Sequence, residues 1–248
     1  MDQPDHDTTA MLAKVRKLLA KAEDPATTPE EAELYTAKAS DLIAAYGIDR
    51  ALLALADPSL DIVGDQVIVL DRPYAADKLD LLSTIALTLR CHAVRRTRHP
   101  DGVQELSLHL FGHSSDLQRV EILFTSLLVQ AMHALARTPV PPWDHPAAFR
   151  RSWLAGFTMS VGRRLDEAEK AAAAQADRRF AASGTSTALV LADRSAAVER
   201  ARDEAYPDLR RATPRQLSGS GARQGWEAGQ RADLGGERLH GGRRALPG

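Results

Sequence analysis

Apolar positions recur at helical spacing from the start of the chain. Met11, Leu12, Val15, Leu18, Leu19 and Ala22 fall on one stripe, while Lys14, Arg16, Lys17 and Lys21 fall outside it. Asp24-Pro25 ends this helix, because the residue before a proline disfavours the α region. Thr28-Pro29-Glu30-Glu31 starts another. Thr28 caps it, Pro29 suits the first position, and Glu31 completes a capping box. Leu34, Tyr35, Ala39, Leu42, Ile43 and Tyr46 form the second stripe, and Gly47 is a C-cap candidate. The pattern predicts a helical hairpin over residues 1–50.

The period then changes. Val67-Ile68-Val69-Leu70 is a short β-branched run that reads as a strand, ended by Pro73. Helical spacing returns over 78–89, with Leu79, Leu82, Ile85, Ala86 and Leu89. Two alternating runs, 92–98 and 103–111, flank Pro100-Asp101-Gly102, a turn signal that predicts a β-hairpin. In the second run Leu106, Leu108 and Leu110 share a face expected to be buried. Val103, Glu105, Ser107, His109 and Phe111 share the opposite one.

A long helix is expected from Ser114 or Ser115 to about Arg137, followed by a proline-rich connector over 138–146. A second long helix runs from about Ala147 to Phe180. Its stripe is Trp153, Phe157, Val161 and Leu165, and beyond Leu165 it is expected to lie at the surface. Ala188-Leu189-Val190-Leu191 reads as a short strand and 195–205 as a short helix. From 207 onward, glycine and arginine interleave with little apolar surface to offset chain entropy, which predicts a largely disordered, flexible tail. The fold class is therefore α+β and helix-rich. It comprises an N-terminal αα-hairpin module (1–50), a core of a small antiparallel sheet and two long helices (60–206), and the tail (207–248).

The string from Met11 to Ala22, then Thr28-Pro29-Glu30-Glu31-Ala32-Glu33, Ala37-Lys38-Ala39 and Tyr46-Gly47-Ile48, resembles a bacterial and phage module, domain of unknown function 2786. Phe111-Gly112, the helix after it, and Trp153-Leu154-Ala155-Gly156-Phe157 resemble the larger companion domain that often follows that module. The resemblance implies architecture; it brings no established activity and no catalytic residues.

Composition narrows the classes. Aromatics are 5% of 248 residues, so alanine and leucine carry the packing. The formal net charge of −1 exerts no global pull on polyanions. No early segment pairs a basic stretch with an apolar core and a cleavage site. The longest apolar run, 122–132, is too short to span a bilayer, so a soluble, cytoplasmic protein without a membrane partner is expected. A single cysteine, Cys91, excludes an intrachain disulfide and any multi-cysteine zinc site.

The sequence carries no phosphate loop, dinucleotide fingerprint or nucleophile elbow, and no cofactor is expected. The clearest functional feature is basic charge on the hairpin, where Arg95, Arg96 and Arg98 follow Arg90. A β-ribbon can enter a nucleic-acid groove, and arginines can neutralise phosphates. The competing view is a solvated edge guarded by charge against strand pairing. The favoured expectation is a non-enzymatic binding or adaptor protein for nucleic acid or another protein. One alternative is a metal-dependent hydrolase using hairpin histidines (His92, His109 and His113, with His99 nearby). Another is an oligomerising structural protein built on the long helices. Asp166, Glu167 and Glu169 are read as solvated carboxylates pairing with Arg163, Arg164 and Lys170.

Overall fold

A computed structural model describes residues 44–48, 50–52, 54, 55, 57–180, 186–210, 213 and 215–232, together with 14, 17, 18, 21 and 42. The expected N-terminal hairpin falls almost wholly outside the described residues. Within it Lys14, Lys17, Leu18, Lys21 and Leu42 are helical, and the three lysines are exposed. Residues 1–43 with 233–248 form one unit and 44–232 another. The second unit thus takes in sequence on both sides of the expected 60–206 core.

That unit runs from a helical segment (44–48 and 50–52) to strand β1 (Val63–Leu70), helix α1 (Ala75–Thr88), β2 (His92–Arg98) and β3 (Glu105–His113). Helices α2 (Ser114–Arg137), α3 (Pro146–Phe180), α4 (Thr187–Ala205) and α5 (Ala222–Arg231) follow. The sheet is fully antiparallel in the order β1-β3-β2, so β3 is central and both neighbours are edges. The hairpin turn at Pro100–Gly102 places Asp101 and Gly102 at φ 51° and 77°, the left-handed region that aspartate and glycine tolerate.

Leu106, Leu108 and Leu110 are buried as the alternation predicts, on the side where α1 and α2 lie against β3. The opposite face is covered too. Val94 and Phe111 pack against Val198 of α4, with Val63, Ala201 and Tyr206 around them. This corrects the short strand expected at Ala188–Leu191, because Thr187–Ala205 is one continuous helix capped by the Ser186 hydroxyl. Its inner stripe is Val190, Arg194 and Val198, at four-residue spacing. An arginine in that stripe hid the periodicity.

The two long helices start and stop where the pattern places them. Trp153, Phe157, Val161 and Leu165 are all buried, and the rings of Trp153 and Phe157 stack with centroids 5.6 Å apart. By length and composition α2 could cross a bilayer, yet Val120, Leu123, Leu127 and Ala131 along it are buried in this unit.

The disordered tail expected from 207 is corrected for residues 215–232. Arg215 bonds to Asp77 and Asp80 of α1, and α5 packs along α3 with backbone-to-backbone closeness. A methyl group on Gly225 would strike the Trp153 carbonyl, and one on Gly156 the Ala222 carbonyl. Glycines that read as low complexity are therefore the contact surface of a helix.

Candidate functional site

Four arginines follow one another in sequence, and the fold separates them. Arg90 sits just past α1 with φ 64°. Its amide donates to the Leu87 carbonyl, and the Cys91 amide to that of Ala86, a helix ending that normally employs glycine at the left-handed residue. The Arg90 side chain turns inward, bonding to Glu169 at 2.6 Å and Asp116 at 3.4 Å. Arg95, Arg96 and Arg98 stay on the edge strand β2. Arg95 and Arg98 are exposed and Arg96 is half-buried. Arg96 and Arg98 share the sheet face of Ser107 and Glu105, their cross-strand partners, while Arg95 lies opposite Leu108 on the other face.

The inward turn of Arg90 joins it to a lattice of buried charge. Arg194 of α4 donates to Asp61 at 2.7 Å and to Asp116 at 3.3 Å. Arg119, with no exposed surface, donates to Asp116 at 2.8 Å and to Glu169. Three guanidinium groups thus face the carboxylates of Asp61, Asp116 and Glu169, and the formal charges cancel. The six residues come from the segment before β1, the end of α1, the first turns of α2, the middle of α3 and α4. The lattice therefore ties α1, α2, α3 and α4 to one another and to the segment before β1.

The electrostatics follow from this pairing. Burial works against the charge on Arg119, but Glu169 and Asp116 outweigh it and raise its pKa above the ordinary guanidinium value. Burial likewise pushes the Asp61 carboxyl up. Hydrogen bonds from the Ser115 hydroxyl and amide, at 2.6 and 2.9 Å, and the Arg194 charge bring it below the ordinary value. The Cys91 thiol is pushed well up by burial and then by Asp116, which makes it a packing group and not a nucleophile. Because each carboxylate of the lattice is committed to a guanidinium, none is free to act as a general base.

This overturns the reading of Glu169 as a solvated carboxylate. Its helix neighbours do behave that way: Lys170 pairs with Asp166 at 2.6 Å and Arg163 with Glu167 at 2.9 Å. Gly47 is also not a helix terminator, since residues on both sides of it are helical. It lies against the Arg119 guanidinium, where any side chain would collide.

The three histidines of the metal alternative have separate engagements. His92 accepts from Arg202 at 2.8 Å. His109 lies 2.8 Å from both the Asp65 carboxylate and the Tyr206 hydroxyl. Since Asp65 accepts the Nε2 hydrogen, the Nδ1 of a neutral His109 ring accepts a hydrogen bond from the Tyr206 hydroxyl. His113 holds the Asp61 carbonyl at 2.8 Å. Among the described residues, no three histidine, cysteine, aspartate or glutamate side chains gather to hold a cation.

Fold and site together define an α+β, helix-rich protein with a locked ionic interior and a basic hairpin edge. Residues 10–50 match the family model described as a protein of unknown function, DUF2786, the module that the N-terminal string resembles. No curated protein and no solved structure matches the chain.

Proposed function

We propose that the protein is a non-enzymatic binding protein whose hairpin edge contacts the phosphates of a nucleic acid, with residues 60–206 serving as the companion domain to the N-terminal module. The observation that carries this reading is the contrast between Arg90 and its neighbours. Arg90 is consumed by buried carboxylates, while Arg95, Arg96 and Arg98 stand on an edge strand with no ion pair among the described residues. Edge-strand arginines reach past both faces of a ribbon, the geometry that backbone contacts in a groove require. Val67 and Val69 share the face of Arg96 and Arg98 and are 43% and 49% exposed, which leaves that end of the sheet open to a partner.

The test is anisotropy with a labelled duplex and a labelled single strand. Three phosphate contacts give a log–log salt slope near −2.7, about a fortyfold loss of affinity between roughly 50 and 200 mM salt. The triple variant R95A/R96A/R98A is expected to abolish that slope while keeping the fold. Absence of low-salt binding, or binding indifferent to the triple variant, refutes the proposal.

A further inference from the structure

A cleft of about 360 Å³ opens between the helical segment ahead of β1, the residues leading into β1, and α4. This volume lies at the small end of ligand pockets. Its walls are aliphatic: Ala51, Leu55, Ile62, Val63, Val190 and Ala197. Leu55 and Ile62 are 55% and 61% exposed, an unusual outlay of large side chains to water at one rim.

The polar residues of the cleft are His113, Asp61, Asp193 and Arg194. Asp61 and Arg194 are committed to each other, and Arg194 also to Asp116, so an anionic ligand finds no uncompensated cation there. His113 is different. Its Nδ1 meets the Asp61 carbonyl, and a carbonyl only accepts, so Nδ1 carries the hydrogen. In the neutral ring Nε2 is then a bare acceptor. It is buried and has no partner. Buried acceptors are seldom left unpaired, so this nitrogen marks where a donor belongs.

We propose that this cleft binds a small, uncharged amphipathic molecule whose hydroxyl donates to His113 Nε2 while its apolar body lies along Leu55, Ile62, Val190 and Ala197. The site stands independently of the hairpin arginines Arg95, Arg96 and Arg98 and of any nucleic acid.

The probes are 1-naphthol and the smaller p-cresol, with 1-methoxynaphthalene as a match lacking the donor, titrated into the full chain by ligand-observed NMR. At least one phenol binds at one site, and 1-naphthol binds about tenfold tighter than its methyl ether, as the loss of one buried hydrogen bond implies. H113F keeps the wall but removes the acceptor, and makes naphthol and ether equal. A197W, at a half-buried position of α4 whose side chain takes no part in the ionic lattice, fills the cleft; it weakens naphthol at least about tenfold with an unchanged melting temperature. The proposal falls if neither phenol binds, if the ether binds as well as naphthol to the unaltered protein, or if A197W leaves binding intact.

Discussion

Arg119 and Glu169, fifty positions apart in sequence, form an ion pair in the interior of the helical layer, and Arg119 has no contact with solvent. Removing one partner of such a pair strands the other charge, which costs more than the pair contributes when intact. Glu169→Gln is therefore expected to lower unfolding stability by about 3 kcal/mol. Asp166→Asn and Glu167→Gln, on the same helix but in exposed pairs, change it by less than about 0.5 kcal/mol. Urea unfolding of the three variants decides the point. Equal and small losses at all three would show that Arg119 does not depend on Glu169.

The lattice was nearly legible in the sequence. Trp153, Phe157, Val161 and Leu165 recur every four residues, and Glu169 takes the next slot. Leu123, Leu127, Ala131 and Leu135 do the same on α2, and Arg119 precedes them by four. Arg194 lies midway between Val190 and Val198. A charge in register with an apolar stripe is the signal, and reading stripes as apolar alone discards it. The long helices and the hairpin were visible because their information is local: periodicity, caps and a Pro-Asp-Gly turn. The pairing of three arginines with three carboxylates is non-local. Spacing within one helix cannot reveal which cation meets which anion. The glycine-rich end failed for a related reason. Composition alone does not separate a chain too polar to fold from a helix that uses glycine to lie flat on another.

That second case is directly testable. Gly156 and Gly225 are helical, so alanine there raises intrinsic helix propensity by about 1 kcal/mol. The methyl group, however, would enter the carbonyl of the facing helix at both positions. Backbone cannot yield as a side-chain tip can, so a net loss of roughly 1–3 kcal/mol is expected for each variant. Residues 222–231 should lose hydrogen-exchange protection before the rest of the unit does. Gly64→Ala, on edge strand β1 with open space around it, serves as the control and is expected to be neutral or slightly stabilising. If Gly225→Ala behaves like Gly64→Ala, α5 does not rest on α3 at this distance.

His92 gives the chain a pH dependence whose sign the structure fixes. Its Nδ1 accepts a hydrogen bond from the Arg202 guanidinium, so protonating that nitrogen would break the bond and set two cations together. Burial first, and then Arg202, hold its pKa below the ordinary value, although Glu199 and Asp203 pull the other way. In the unfolded chain the ring takes up a proton near pH 6.5, approximately the free value. In the folded chain uptake waits for a lower pH. Between those two points the unfolded state binds more protons, so stability falls as pH falls, while above both values the ring contributes no slope. His92→Gln is therefore expected to flatten the stability profile below about pH 6.5 and to leave it parallel to that of the unaltered protein above. Chemical denaturation at matched ionic strength, stepped from about pH 8 to 5, reads this directly, because every other titrating group is common to both proteins. Parallel profiles over the whole range would mean that His92 leaves its half-buried place beside Arg202 for water on protonation, removing both causes of its lowered pKa.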